Sequence, residues 1–130
     1  MTSAHAAALW AGLHMVLLLT LSMRVVRKRQ HYRVALGDGG IPDLAHAIRA
    51  FGNTTEYVPA GLATLALFAV LDAAPLATHL FGLVLFAGRV THGVGLSLSG
   101  EATLARAIGM LATWIAFVFA AVALLFYAVA

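Results

Sequence analysis

From Ala4 to Met23, and again from Ala107 to Ala130, the chain carries no Asp, Glu, Lys or Arg. A membrane-spanning helix needs about 20 mostly apolar residues, and both stretches are long enough. Two more apolar runs lie between them, Tyr57 to Leu71 and Leu76 to Leu98, the latter interrupted by Arg89 and His92. Composition agrees: 62% of residues are hydrophobic and 10% are charged, against about 25% charged in a soluble domain. So few charges cannot solvate a globule, and the solvent is largely lipid. The expected fold is an all-α integral membrane protein. It is one four-transmembrane-helix domain over residues 1–130, with helices at about 4–29, 42–71, 75–98 and 103–130.

The first span differs from a signal peptide, which carries positive charge ahead of its apolar core. Here nothing basic precedes Ala4, and Arg24, Arg27, Lys28, Arg29 and Arg33 follow. It reads as a retained helix. Cytoplasmic loops of membrane proteins are enriched in Lys and Arg. The loop after helix 1 is therefore cytoplasmic, and the turn around Asp72 and Pro75, without Lys or Arg, is outside. Arg49, Arg89 and Arg106 complete a set of eight cations gathered toward the cytoplasmic half. An even number of spans places both termini outside, and a bacterial source would make this the inner membrane. The net charge of +3 and pI near 10.0 thus reflect topology and membrane lipids, and no nucleic-acid partner is expected. There is no cysteine, which removes thiolate metal sites and a cysteine nucleophile. No metal site is expected.

Gly37, Gly39 and Gly40 mark a turn, and Pro42 with Asp43 mark a helix start. The apolar part of helix 2, Tyr57 to Leu71, covers roughly 22 Å at about 1.5 Å per residue, short of the ~30 Å core. The polar turn before it therefore lies at or near membrane depth. Arg49, Asn53 and Glu56 fall at i, i+4 and i+7, one helical stripe. A carboxylate facing lipid is costly, so the stripe should face protein or a water-filled cavity. Arg89 and His92, at i and i+3, share a face of helix 3, and Arg106 opens helix 4. One carboxylate, one amide, one imidazole and three guanidiniums are thus expected to converge on one pocket. Arginine binds carboxylates bidentately and keeps its charge. The ligand class is a small molecule with several carboxylates or a phosphate, and Glu56 suits a ligand amine. The competing account is structural: the stripe braces itself, and Arg89 and Arg106 snorkel to headgroups.

Other residues carry weaker signals. A bis-His haem needs histidines at matched depth, and His14 lies mid-membrane where His92 does not. His5, His31 and His46 read as loop or interface residues. Pro59 should loosen the turn near Thr55 and Glu56. Trp10 and Tyr127 fit an outer aromatic belt. The Phe residues of helices 3 and 4 read as lipid-facing or packing residues.

The run Arg49-Ala50-Phe51-Gly52-Asn53-Thr54-Thr55-Glu56-Tyr57-Val58-Pro59 resembles the helix 2 signature of the MAPEG family, the membrane-associated proteins in eicosanoid and glutathione metabolism. Gly88-Arg89-Val90-Thr91-His92 resembles the helix 3 signature of its prostaglandin-synthase branch. His31 to Gly40 looks most like the small bacterial branch.

The resemblance implies a four-helix bundle that assembles as a homotrimer and binds glutathione between subunits near the cytoplasmic face. It implies that Arg49, Asn53, Glu56 and Tyr57 contact glutathione from helix 2, Arg89 and His92 from helix 3, and Arg29 from the end of helix 1. Arg106 stands near the family's helix 4 arginine, the catalytic group assigned to thiolate stabilisation. Glutathione, with two carboxylates, an amine and a thiol, fits the charge pattern.

Three departures stand out. Leu96 occupies a position where family enzymes often carry tyrosine, the Arg89-to-Arg106 spacing differs slightly, and Ala107 stands where the prostaglandin branch has serine. Two accounts follow: a glutathione transferase or peroxidase acting on lipophilic electrophiles, or a non-catalytic lipid- or glutathione-binding protein on the same scaffold. A four-span drug/proton antiporter would carry a glutamate in helix 1, and Ala4 to Met23 has none.

Overall fold

The computed structural model describes residues 2–129; Ala130, the expected last residue of the fourth helix, lies outside them. Among the described residues there are four helices: α1 (Ser3–Tyr32), α2 (Pro42–Val70), α3 (Pro75–Leu98) and α4 (Leu104–Val129). The same residues contain no strand. α1, α3 and α4 are each long and apolar enough to cross a membrane. α2 carries Asp43, Arg49 and Glu56 in its first half, ahead of its apolar run.

α1 runs to Tyr32, nearly a turn beyond its expected end near residue 29. It stops because Arg33 adopts a left-handed conformation (φ 56°) and returns its N–H to the carbonyls of Arg29 and Gln30. Such a residue is a common helix stop. The apolar pattern ends sooner because a helix can continue into water on polar residues. The α1–α2 loop turns on Gly37, Gly39 and Gly40, all at positive φ. At the far end, the α2–α3 turn is pinned by the Ala74 N–H, which donates to the Tyr127 hydroxyl at 2.9 Å.

α3 is the central helix and packs against α1, α2 and α4, while α2 scarcely meets α4. Lipid tails are as apolar as leucine, so helices in a bilayer associate through close packing and polar contacts. Both are present. Phe68, Phe81, Leu65, Leu85, Ala116 and Ala120 form a buried cluster. Phe126, in contrast, is exposed on the outer face. The Ser3 hydroxyl donates to the Phe68 carbonyl at 3.0 Å and shares a hydrogen bond with Thr78 at 2.8 Å. Trp10 packs over Gly82 and donates its indole N–H to His79 at 3.1 Å.

The α3–α4 seam sets the geometry of the site. Gly88 and Gly109 meet there so closely that a Cβ on Gly109 would lie 2.5 Å from the His92 nitrogen and 2.7 Å from the Gly88 oxygen. Glycine at both positions lets the two backbones touch. The end of the bundle where α1 and α3 finish and α2 and α4 begin holds the basic loop and is called the basic end below.

Candidate functional site

A cleft of about 380 Å³ opens at the basic end between α2, α3 and α4, within the usual range of roughly 300–1,000 Å³ for ligand pockets. Its polar walls are His46, Arg49 and Asn53 from α2, His92 from α3, and Arg106 from α4; Leu96 adds an apolar wall. Each follows from a helix phase. His46, Arg49 and Asn53 recur at three- and four-residue intervals, and Leu96 stands four residues after His92.

The α2 stripe is braced from within. Arg49 Nη1 lies 3.9 Å from Glu56 Oε1, and both side chains are more than half exposed. The Asn53 amide donates from Nδ2 to Glu56 Oε2 at 3.2 Å. Its oxygen accepts from Arg89 Nη1 at 2.9 Å. Asn53 therefore stands between a buried cation and an exposed carboxylate and is oriented by both.

Arg89 is fully buried. Its Nε donates to Thr113 Oγ1 at 3.0 Å, and its guanidinium carbon sits 4.8 Å above the Tyr57 ring centre. Thr113 in turn donates to the Gly109 carbonyl at 2.8 Å, and Tyr57 stacks on Phe117. The Arg89 Nη2 group has no hydrogen-bond partner. Arg89 thus ties α2, α3 and α4 together behind the cleft. It neither snorkels to headgroups nor lines the cleft wall.

His92 is buried and fixed by α4. Its Nδ1 lies 2.8 Å from the Arg106 carbonyl oxygen. A carbonyl only accepts, so Nδ1 carries the proton and the neutral ring keeps its lone pair on Nε2. Arg106 spends Nη1 on two carbonyls of its own loop, Gly100 at 3.2 Å and Glu101 at 2.6 Å. Gly95 makes room for it, since a Cβ there would meet Arg106 Cγ at 2.8 Å.

The structure brings Arg49, Asn53, His92 and Arg106 to one cleft, while Glu56 does not line it and instead contacts the cleft residues Asn53 and Arg49. It corrects the expectation of three guanidiniums around one pocket: α3 contributes an imidazole, because Arg89 points into the protein toward Asn53 and Thr113. Tyr57 lies behind with Arg89. Arg29 faces a different cavity, with Arg33 and Val34, and donates to the Gly37 carbonyl at 2.7 Å.

Two participants were not among the expected site residues. His46 read as an interface residue, yet it lines the cleft and packs against Gly100. Its spacing three residues before Arg49 was the available signal. Thr113, seven residues after Arg106, lies on the same α4 face, but a threonine in an apolar run gives no hint of a buried arginine.

The MAPEG family model matches residues 7–126 of this chain. The chain is also similar to the inner membrane protein YecN of Escherichia coli strain K12, 40% identical over 120 residues, covering 92% of this chain and 90% of that protein. The protein of the same name from Escherichia coli O6:H1 matches at the same 40% identity, over the same shares of both chains.

Proposed function

We propose, from the premise that this chain belongs to the MAPEG family, that it is a glutathione-binding protein of the inner membrane. It conjugates glutathione to lipophilic electrophiles. The observation that carries the reading is the joint placement of Arg49, Asn53, His92 and Arg106 around one cleft, with Glu56 held at its side. Two cations in the cleft lining, Arg49 and Arg106, suit a dicarboxylate, and the exposed Glu56 carboxylate suits its amine.

The chemistry requires a thiolate, and a free thiol ionises near pH 8.5. The lone pair of His92 Nε2 takes the thiol proton. Arg106 keeps N–H donors on Nε and Nη2 to stabilise the sulfur anion. The sulfur pair then forms the carbon–sulfur bond, and the displaced electron pair leaves with the electrophile's leaving group or opened oxygen. With a hydroperoxide, two glutathiones would be oxidised to the disulfide while the peroxide is reduced to alcohol and water.

The cleft sits at the basic end, which the positive-inside rule places at the cytoplasm, leaving both chain ends outside. Assembly is as a homotrimer. Arg49 and Glu56 stand exposed on one protomer, where a neighbouring subunit would cover them and Arg29 could reach the ligand from the adjoining copy. The lipophilic substrate would enter from lipid along that boundary.

A second reading has its own observation. Leu96 gives the cleft an apolar wall in place of a hydroxyl, and Arg106 already satisfies two loop carbonyls. Both fit a protein that binds glutathione or lipid without catalysis. The deciding experiment measures conjugation of 1-chloro-2,4-dinitrobenzene by the detergent-solubilised protein and its Arg106→Ala variant. Activity lost in the variant supports catalysis. Saturable glutathione binding without conjugation supports the second reading.

A further inference from the structure

A second cavity at the basic end is larger than the glutathione cleft and separate from it. It encloses about 530 Å³ between α1 and α2. Arg24, Arg27, Lys28 and His31 line it together; they recur at i, i+3, i+4 and i+7, one face of α1. The carboxylate present is Asp43, which is already engaged by Lys28 and by the Tyr32 hydroxyl. Two arginines thus remain as uncompensated charge in a concave site. Arg24 is half spent, donating Nη2 to the Ser97 carbonyl at 3.2 Å, while Arg27 is exposed.

The cavity has an apolar extension. A groove of about 190 Å³ runs between α1 and α3, walled by Leu17, Leu21, Val90 and Val94. Thr20 and Arg24 line both spaces and join them. At the same groove stands Ser97, 5% exposed. Its hydroxyl has no hydrogen-bond partner, and a buried polar group without one is costly. A buried hydroxyl beside an arginine, between a cationic cavity and an apolar groove, calls for a ligand with an anionic head, a polar neck and an apolar tail. Snorkelling cations alone would account for the charges but not for the groove or the orphaned hydroxyl.

We propose that this cavity and groove form a binding site for one anionic phospholipid. The phosphate sits on Arg24 and Arg27, an ester or hydroxyl oxygen takes the Ser97 hydroxyl hydrogen, and the first part of one acyl chain follows the groove. The site does not depend on the glutathione reading, since none of its residues lines that cleft.

The full chain, incorporated into phosphatidylcholine nanodiscs containing a minor fraction of phosphatidylglycerol, is released into mild detergent. Retained lipid is then counted by native mass spectrometry. One phosphatidylglycerol per protomer is expected, with phosphatidylcholine not retained. Arg24→Gln combined with Arg27→Gln should reduce retention at least tenfold, and Arg33→Gln, an exposed cation on the other side of the α1 terminus, should leave it unchanged. Ser97→Leu, which fills the groove without changing charge, should also reduce retention and serves if the double variant fails to fold. Equal loss in Arg33→Gln, or equal retention of phosphatidylcholine, would overturn the proposal. Displacement by millimolar inorganic phosphate would overturn it too, by assigning the cavity to free phosphate.

Discussion

His92 and Arg106 meet through a hydrogen bond from the imidazole Nδ1 to the arginine's own backbone carbonyl, 2.8 Å long. This contact fixes the ring's tautomer and the relation of α3 to α4 in one stroke. It leaves Nε2 as the ring's acceptor, with His92 and Arg106 both in the cleft lining. From this geometry, His92→Phe should lower the conjugation rate by about 10²–10⁴-fold, the usual worth of a positioned acid–base group. Glutathione affinity should change far less. Single-turnover kinetics beside equilibrium titration separate the two effects.

Glu56 is held by Asn53 and lies near Arg49, so its expected partner is the amine of glutathione. Glu56→Gln should weaken glutathione roughly tenfold, about 1.4 kcal/mol. An analogue lacking the amine should bind both proteins equally. Competition titration with that analogue gives the comparison.

The buried Arg89 depends on Thr113 for its Nε hydrogen bond. Thr113→Val keeps the shape and removes the acceptor. Hydrogen bonds to charged groups contribute about 1.5–3 kcal/mol, and the stability loss should fall in that range. Reversible unfolding in mixed micelles measures it, and a loss below about 0.5 kcal/mol would mean that Arg89 finds another partner.

Gly109→Ala should part α3 from α4, because its Cβ would meet the His92 nitrogen, the Gly88 carbonyl oxygen and the His92 Cβ, none of which can swing aside. Overpacking of this kind costs about 1–3 kcal/mol, and glutathione binding should weaken with it as His92 and Arg106 separate. Gly12→Ala is the control. A Cβ there meets nothing within 4 Å, and the change should stabilise α1 by about 0.5–1 kcal/mol. Thermal melts of the two variants should move in opposite directions.

The α2 stripe was legible in the sequence because Arg49, Asn53 and Glu56 keep one helical phase, and a phase is a local property. The membrane fold was legible because long uncharged runs leave the backbone no other solution. The direction of Arg89 was not, since a guanidinium at that depth can reach outward or inward, and Thr113 on another helix decides. The Gly88–Gly109 seam was equally silent, because glycine in a helix acquires meaning only from what faces it. Arg29 illustrates the reverse. Its motif position points to the ligand, but within one protomer it turns to the Gly37 carbonyl, and only a neighbouring subunit could restore the expected contact.

Arg49 and Arg106 line one cleft, and a small polyanion should bind there. Isothermal titration of the detergent-solubilised protein with reduced glutathione tests this most directly, with Arg49→Ala measured alongside. Saturable binding is expected, weakened at least tenfold in the variant, about 1.4 kcal/mol. No saturable binding, or a variant indistinguishable from the parent, would contradict it.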